Sequence, residues 1–194
     1  MNDRESNEVM LVYAAQRGDK DALQTLLRRH WSWVRSLVYG VLGDPRDLDD
    51  VMQEVCIRVI TRIQTLREPE RFRAWLAILA RREAIKAARR RKPELVTQDE
   101  PPYAIDPAED VAKKELFGRV LEAVRELPAK YREVFMLAHS GELTYAQMAE
   151  VLDVPITTMQ IRLVRARRMI RDRIAPQLEY ASRGDRGIPR AEGA

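Results

Sequence analysis

A proline-rich segment near the middle of the chain divides the sequence into two blocks and limits what it can fold into. Four of the ten prolines lie within PELVTQDEPPYAIDPA, at residues 93–108. Tandem prolines favour extended backbone, and no helical period of apolar residues runs through this segment. We therefore predict two small domains, residues 1–92 and 111–175, joined by a flexible acidic linker over residues 93–110. Because no core residues are visible in the linker, we expect the domains to move independently.

Apolar residues recur at spacings of three and four on both sides of the linker, which is the pattern of amphipathic helices. The scarcity of glycine, 8 of 194 residues, and the absence of long alternating Val, Ile and Thr runs argue against a β-sandwich or barrel. The predicted fold class is all-α. The predicted helices with defined limits cover residues 22–41, 48–63, 72–92, 111–127, 131–139, 144–152 and 156–174.

The remaining composition restricts the location of the protein. Apolar runs such as residues 75–80 are far shorter than the ~20 residues that cross a bilayer. The N-terminal residues are polar and show no signal peptide, and a single cysteine, Cys56, excludes an internal disulfide. We expect a cytoplasmic protein without membrane insertion. Residues 176–194 lack a helical pattern after Tyr180, and we predict a disordered tail there.

Charge is distributed unevenly along the chain, whose net charge is +4. Residues 1–92 carry 19 basic against 13 acidic residues, residues 93–115 carry 2 against 7, and residues 116–194 carry 13 against 10. Two basic blocks separated by an acidic stretch suggest two surfaces that meet a polyanion and a connector that avoids it. Ordinary solvated charge explains these totals equally well, so the positions of the charges have to decide.

The segment TYAQMAEVLDVPITTMQIRLVRARRMIRDRI, residues 144–174, predicts two helices joined by a tight turn. Asp153 occupies the turn position that needs a left-handed backbone, which Asp tolerates better than most residues. Thr144 stands in the N-cap position of the first helix. This is a helix-turn-helix, the motif whose second helix enters the major groove. The apolar stripes of the two helices are Met148, Ala149 and Leu152, and Met159, Leu163, Ala166, Ile170 and Ile174.

The opposite face of the second helix carries side chains suited to reading DNA. Thr and Gln hydrogen-bond to base edges, Arg binds guanine or phosphate, and Ile packs against a thymine methyl group. Residues 162–173 include six arginines and one acid, more than solubility requires, although a solvated helix face is the alternative. The predicted DNA-reading residues are Thr157, Thr158, Gln160, Ile161, Arg162, Arg165 and Arg168.

Two helices of the first block carry opposite charges. Residues 47–59, DLDDVMQEVCIRV, present an acid-amide face, and carboxylates there would repel phosphate, so we predict a protein partner with basic side chains. The helix dipole favours Asp in a first turn but does not account for Gln53 and Glu54. The helix over residues 72–92 is basic and suited to lie along a phosphate backbone. The acid-amide face consists of Asp47, Asp50, Gln53 and Glu54, and the basic set includes Arg81, Arg82, Lys86, Arg89 and Arg90.

The order of these parts resembles a known family. A DxxDxxQE helix, FRAWL leading into a basic helix, a linker, and a TYAQMAEVLDVP helix-turn-helix look like an extracytoplasmic-function (ECF) sigma factor, the small bacterial type with regions 2 and 4 only. The resemblance covers about residues 8–92 and 110–175. In several positions the chain departs from the family pattern, with Arg82 in place of a common Asn, Lys86 and Ala87 in place of Asp and Tyr, Cys56 in place of an aromatic residue, and MQIR in place of VKSR at residues 159–162.

The resemblance implies a function for each part. Region 2 would dock its acid-amide face on the clamp helices of core RNA polymerase, and its basic helix would contact and help open the −10 promoter element. The helix-turn-helix would read the −35 element, with an unusual sequence expected because of the changes at residues 159–162. The linker would thread toward the active-site and RNA-exit channel of the polymerase. An anti-sigma factor is a further expected partner, and no catalytic residue, metal or cofactor is implied.

Two other classes of protein remain as alternatives. A helix-turn-helix regulator that binds DNA as a symmetric dimer accounts for residues 144–174 but gives the acid-amide helix and the acidic linker no role. An enzyme is disfavoured because His30 and His139 are far apart and have no metal-ligand spacing. We predict His139, which follows three apolar residues on a helix, as a core or boundary residue. Cys56 lies between apolar neighbours on an amphipathic helix and is predicted to be a buried small hydrophobe.

Overall fold

The computed structural model describes residues 3–90 and 111–184 of the protein, with side chains over residues 5–90 and 118–175. Within these ranges the chain is all-helical and has no strand, as predicted. The predicted linker over residues 93–110 lies outside the described residues. The helices are α1 (Asp3–Gln16), α2 (Lys20–Leu42), α3 (Leu48–Arg62), α4 (Phe72–Arg90), α5 (Val111–Arg125), α6 (Ala129–His139), α7 (Tyr145–Leu152) and α8 (Ile156–Gly184).

Local sequence signals place both ends of the long helix α2. The Asp19 carboxylate accepts hydrogen bonds from the backbone amides of Asp21 and Ala22, at 2.9 and 3.0 Å, and therefore caps the N-terminus. Gly43 ends the helix in the left-handed conformation, at φ 71°, and its amide donates to the Tyr39 carbonyl. Two short 3₁₀ turns, Ile63–Thr65 and Pro69–Arg71, connect α3 to α4.

Helix α8 is longer than the sequence pattern predicts. It continues to Gly184, ten residues past the predicted end, so the predicted disordered tail is wrong for residues 176–184. A proline inside a helix removes one amide donor and crowds the carbonyl four residues earlier, and the sequence prediction ended the helix before Pro176, but Gln177, Leu178 and Glu179 beyond it are good helix formers. Residues 185–194 of the predicted tail lie outside the described residues.

The first half of the molecule packs around α2, which contacts α1, α3 and α4. The apolar faces predicted for these helices meet here, and burial of such side chains stabilises the fold by about 1.5–3 kcal/mol each. In the second half α6 packs against α7 and α8, and α5 against α8. In the described part of the chain, no helix is long and apolar enough to span a membrane. The fully buried large side chains include Leu26, Leu37, Met52, Phe72 and Leu76 in the first half, and Leu137, Met148 and Met159 in the second.

The two halves pack against each other, which corrects the expectation that they move independently. Helix α2 crosses α6, and α4 contacts α7. At the crossing, Gly40 lies so close to α6 that a Cβ atom added to it would be 3.1 Å from Met136 Cβ. The prediction considered only whether the linker could hold the domains together. The contact is instead made by helix surfaces far from the linker in sequence.

Candidate nucleic-acid interface

The helix-turn-helix is held by backbone and side-chain hydrogen bonds at both of its corners. Thr144 and Gln147 form a reciprocal capping box, in which the Thr144 amide donates to Gln147 Oε1 at 2.9 Å and the Gln147 amide donates to Thr144 Oγ1 at 3.3 Å. Asp153 adopts the left-handed conformation, with φ 55° and ψ 51°, as predicted. The Val154 amide closes the turn by donating to the Ala149 carbonyl at 3.1 Å. The capping box fixes the start of α7, and the turn at Asp153 and Val154 fixes α7 relative to α8.

The inner face of α8 is apolar and the outer face is cationic, as the spacing predicts. The inner residues Met159, Leu163, Ala166 and Ile170 are at most 6% exposed. On the outer face Ile161 is 52% exposed, so this isoleucine serves no packing role in the described structure. Of the predicted DNA-reading set, Thr157, Gln160, Ile161, Arg165 and Arg168 are exposed, and Thr158 and Arg162 are half-buried.

The outer face extends beyond the predicted residues. Val164 is 65% exposed one helical turn after Ile161 on the same face, and the sequence signal for it was its i+3 spacing from that residue. Tyr131 on α6 adjoins Arg165, and the hydrogen bond with this guanidinium lowers the pKa of the phenol despite the opposing effect of desolvation. Lys130 lies 5.1 Å from the centre of the Tyr131 ring. The cationic surface therefore includes the start of α6.

The acid-amide face of α3 is exposed even though the two halves pack against each other. Asp50, Gln53 and Glu54 are exposed, and Asp47 is half-buried at the N-terminus of the helix. Two apolar residues, Ile57 and Ile60, are 45% and 55% exposed on the same helix. Their exposure was not predicted from the sequence, because apolar residues on an amphipathic helix are normally assigned to the core.

A groove separates this acidic face from the basic residues of α4. Asp47, Asp50 and Glu54 form one wall, and Lys86 and Arg90 belong to the other. Between them, Arg58 Nε lies 3.2 Å from Glu83 Oε1. Surfaces of opposite charge therefore lie side by side in the first half, so that one protein and one nucleic acid could be bound by adjacent helices.

The basic residues of α4 do not all have the same surroundings. Arg82, Lys86, Arg89 and Arg90 are exposed. Arg81 is half-buried and forms an ion pair with Glu133, which belongs to α6 of the other half. The Lys86 ammonium lies 3.4 Å from the Glu83 carboxylate, one helical turn away. The sequence could not predict the Arg81 pairing, because it depends on how the halves are packed.

A buried polar cluster anchors the start of α4 to α1 and α2. Arg73 Nε donates to Glu8 Oε1 at 2.9 Å and Arg73 Nη2 donates to Glu8 Oε2 at 3.1 Å. Trp33 Nε1 donates to His30 Nδ1 at 2.9 Å, so the proton of the neutral His30 ring is on Nε2. This atom is 3.0 Å from Glu8 Oε2, although the approach is too oblique for a well-aligned hydrogen bond.

The charges around Glu8 decide its protonation. Burial by itself would raise the pKa of Glu8, but the neighbouring His30 and Arg73 outweigh burial and hold the pKa below 4.5. His30 is 1% exposed and belongs to the core. The prediction for His139 is wrong, because this residue is exposed at the end of α6, where it stacks on Phe135.

Cys56 is half-buried rather than buried, because it lies at the edge of the contact between α2 and α3. Its partial burial raises the pKa of the thiol above its ordinary value, and so keeps the side chain uncharged at neutral pH. The apolar surroundings of Cys56 therefore agree with the prediction, but its burial is only partial where complete burial was predicted.

These features define a class of protein: an all-helical, two-part protein with a helix-turn-helix that has a cationic outer face in one half and an exposed acid-amide face in the other. Comparison with known families identifies both halves. Residues 26–94 match the family model for sigma-70 region 2, and residues 117–170 match the model for sigma-70 region 4.

Curated relatives and solved structures agree with these matches. The chain is 26% identical over 176 residues to the ECF RNA polymerase sigma factor SigW of Bacillus subtilis, covering 84% of this chain and 94% of the relative. It is 28% identical over 179 residues to the ECF RNA polymerase sigma-E factor of Haemophilus influenzae, covering 86% and 94%. Its fold is similar to that of CnrH in complex with the cytosolic domain of CnrY, with a TM-score of 0.63 and 22% identity over 90% of this chain and 98% of that chain.

A second solved structure has the same fold. It is the sigma factor RpoE in complex with the anti-sigma factor NepR from Bartonella quintana, with a TM-score of 0.62 and 17% identity over 78% of this chain and 96% of that chain. The chain belongs to the sigma-70 family and to its ECF group. It is a sigma factor, which binds core RNA polymerase and promoter DNA and directs the initiation of transcription. Family membership thus decides against both the dimeric regulator and the enzyme.

Proposed function

We propose that residues 1–92 act as region 2, residues 93–110 as the connecting linker, and residues 111–175 as region 4, each with its own binding surface. The observation that carries this proposal is the pair of oppositely charged exposed surfaces, acid-amide on α3 and cationic on α8. The test is run-off transcription with core polymerase that lacks other sigma factors. We expect initiation at specific promoters only when the chain and the core polymerase are both present. The absence of initiation on every promoter upstream of co-regulated genes would contradict the proposal.

The acid-amide face of α3 is the proposed docking surface for the clamp helices of the polymerase. Exposed carboxylates attract a basic partner, and truncating one member of a buried interfacial charge pair costs about 2–5 kcal/mol. The docking residues are Asp47, Asp50, Gln53 and Glu54, and the exposed Ile57 adds apolar area beside them.

Charge reversal tests this surface. We expect the Asp50→Lys, Glu54→Lys double variant to lose co-purification with core polymerase while circular dichroism shows an intact fold. A double variant at Glu68 and Glu122, both exposed and both changed to Lys, carries the same change in net charge and serves as the matched control. Equal binding by the two variants would return Asp50 and Glu54 to the role of solvated surface residues.

Promoter DNA is assigned to two helices. Helix α4 contacts the −10 element through Arg81, Arg82, Lys86, Arg89 and Arg90, whose cationic groups suit a phosphate backbone. Helix α8 reads the −35 element through Thr157, Thr158, Gln160, Ile161, Arg162, Arg165 and Arg168. Crosslinking within an initiation complex tests this assignment, since photoreactive groups at Arg89 and Gln160 should react with the −10 and −35 elements, respectively. Reaction of both groups with the same element would contradict it.

An anti-sigma partner and a cytoplasmic location complete the proposal. One of the solved structures named above is a complex of the sigma factor RpoE with the anti-sigma factor NepR, and its fold agrees with this one over 78% of this chain. We expect a protein that co-purifies with the chain from its host to inhibit run-off transcription when added back. Cell fractionation should place the chain with the polymerase in the cytoplasm, and recovery in another fraction would contradict the location.

A further inference from the structure

Two branched apolar residues, Ile161 and Val164, form an exposed pair on the outer face of α8. Ile161 is 52% exposed and Val164 is 65% exposed, the highest value for a large apolar side chain in the helix-turn-helix. The core residues of α8, Met159, Leu163 and Ala166, lie on the opposite side of the helix. The apolar pair therefore adds nothing to the packing that holds α8.

The apolar pair is also unfavourable for the helix itself. β-Branched residues form helices less readily than Arg, Gln or Ala, because the preceding turn restricts their side chains. A single exposed apolar residue is common on protein surfaces. Ile161 and Val164, however, are three positions apart, so they are neighbours on the helix surface and form one continuous apolar area. An area of this kind suits a ligand that is apolar at the point of contact.

The surroundings of the apolar pair indicate what kind of molecule carries that ligand. Gln160 precedes Ile161, Arg165 follows Val164, and Arg168 lies one turn further along, and all three of these polar residues are exposed. Guanidinium groups bind phosphate, and an amide group binds base edges. The apolar pair therefore lies within a surface that is suited to DNA.

A second exposed pair with the same spacing shows that charge decides the partner. Ile57 and Ile60 of α3 are 45% and 55% exposed and are also three positions apart. Their helix carries the exposed carboxylates of Asp50 and Glu54, which repel phosphate. The α3 pair is therefore suited to a protein, whereas the arginines around the α8 pair attract a nucleic acid.

The major groove offers one apolar group to such a pair, the C5-methyl group of thymine. Residues three apart on a helix are separated by about 4.5 Å along its axis. Successive bases of one DNA strand are separated by about 3.4 Å along the duplex. The two side chains can therefore lie against the methyl groups of two neighbouring thymines.

We propose that Ile161 and Val164 form a methyl-reading pair, which packs against the C5-methyl groups of two neighbouring thymines in the −35 element. This rests on the proposed function, in which α8 reads that element. Val164 becomes a specificity-determining residue in addition to the predicted DNA-reading set. Gln160 identifies adenine by hydrogen bonds, whereas the methyl-reading pair identifies thymine by its methyl group alone. It therefore also accepts 5-methylcytosine, which carries the same group.

Removal of single methyl groups from the DNA tests the methyl-reading pair. Deoxyuridine in place of thymine keeps the hydrogen bonds of the base and removes only the C5-methyl group. The full chain in complex with core polymerase first selects a −35 sequence from a randomised pool. Deoxyuridine at either contacted thymine should then weaken binding about four-fold, as expected for one buried methyl group. A selected element without neighbouring thymines, or unchanged affinity after replacement of all of its thymines, would overturn the proposal.

Alanine variants connect each methyl group to one side chain. We expect Val164→Ala to abolish the effect of deoxyuridine at one thymine, and Ile161→Ala to abolish it at the neighbouring thymine. Met169→Ala is the matched control, because Met169 is 39% exposed on the same helix but lies about 110° around the helix axis from the apolar pair. It should keep the full effect at both thymines. The same dependence on thymine in Val164→Ala and Met169→Ala would overturn the role of Val164.

5-Methylcytosine tests the same contact with the base pair kept constant. At the position that Val164 reads, a C·G pair with the methyl group should bind the unaltered chain about four-fold tighter than the same pair without it. Val164→Ala should bind the two duplexes equally, and its affinity for core polymerase alone should be unchanged. A loss of affinity for core polymerase would mean that a protein covers the apolar pair, and would overturn the proposal.

A scrambled −35 element distinguishes failure of the methyl-reading pair from failure of the proposed function. If scrambling weakens binding but deoxyuridine does not, α8 reads the element through other contacts and only the methyl-reading pair is wrong. If scrambling has no effect, the assignment of α8 to the −35 element is wrong and the methyl-reading pair fails with it.

Discussion

Helices α4 and α8 are both rich in arginine and both are assigned to DNA, yet different forces hold them in place. Polar pairs attach α4 at its first turn, where Arg73 meets Glu8, and at its middle, where Arg81 meets Glu133. The side of α8 that faces the protein is a stripe of buried apolar residues, with Met159 and Ala166 completely buried. Helix α4 also buries apolar residues, Phe72 and Leu76 among them, so its position depends on both packing and charge, whereas the buried face of α8 is apolar.

This difference has a consequence for function. Groups used to hold a helix are not available to a ligand, and Arg81 of α4 is occupied by Glu133 in this structure. Arg165 and Gln160 on α8 are exposed in the closed arrangement. Acid and salt should disturb α4 before α8, because α4 is held by ion pairs in addition to its buried apolar residues.

Loss of packing under α8 should have the largest effect. We expect Met159→Ala to lower the free energy of unfolding by about 2–5 kcal/mol, because Met159 is completely buried and truncation leaves a cavity. Urea unfolding followed by circular dichroism measures it. Val164→Ala, on the exposed side of the same helix, should stay within about 0.5 kcal/mol of the unaltered protein. A similar loss in both variants would show that α8 is not held by its inner stripe.

Breaking the anchor of α4 should be next in size. We expect Glu8→Gln to cost about 3 kcal/mol at neutral pH, near the lower end for a buried pair because a quarter of the Arg73 side chain is exposed. Urea unfolding followed by circular dichroism measures this loss as well. If Glu8→Gln were as stable as the unaltered protein, the pair of Glu8 and Arg73 would not be the anchor of α4.

The same pair predicts a pH dependence. The pKa of Glu8 is held below 4.5 in the folded protein, so its contribution is complete above that pH and is lost as pH falls through the lowered value. The stability difference between Glu8→Gln and the unaltered protein should therefore shrink in acid. Met159→Ala provides the comparison, since its cost should not change over the same range. A constant difference for both variants would contradict the charge dependence of α4.

The outer face of α8 should show smaller, sequence-dependent effects. Gln160→Ala should cost about 1–3 kcal/mol at particular A·T pairs of the −35 element, because glutamine bonds adenine in a bidentate manner. Arg168→Ala should weaken binding to all sequences and reduce the slope of affinity against salt by about one unit. Selection from a randomised −35 element in polymerase complexes measures both. Uniform weakening by both variants would mean that another face of α8 reads the bases.

The smallest effect is expected at the start of α7. Thr144→Ala removes the side-chain oxygen that accepts from the Gln147 amide, and N-cap losses cost about 1 kcal/mol. Thr144→Ser keeps that oxygen and should restore most of the stability. The reading helix should keep its base preference in both variants, because the turn at Asp153 is unchanged. A shift in preference would show that the cap also orients α8.

Local patterns predicted the parts of this fold that depend on neighbouring residues. The N-cap at Thr144, the left-handed turn at Asp153 and the buried stripe of α8 all follow from residue type and spacing within one or two helical turns. The exposed face with Gln160 and Ile161 follows for the same reason. Its role, like that of the α3 face, stays a prediction.

Features that depend on distant residues could not be predicted in this way. Glu133 and Arg81 are separated by 52 positions, and nothing near either residue indicates the other. The sequence did not predict that Glu8 is buried, because α1 has no strong apolar stripe. The burial of Glu8 depends on its contacts with Arg73 and His30, which are distant in sequence. Helix α8 exceeds its predicted length because an apolar stripe records where a helix is packed and not where it ends.

Because α8 is long, a small rotation at its N-terminus produces a large displacement at its C-terminal end. A helix of 29 residues is about 44 Å long at 1.5 Å per residue, and its first turns carry the residues that we propose read DNA. If α8 tilts as a rigid rod about its N-terminus, a tilt of about 10° moves its far end by about 8 Å at that length. A probe attached near residue 184 would thus report small rotations of the reading helix as displacements large enough to measure by spectroscopy.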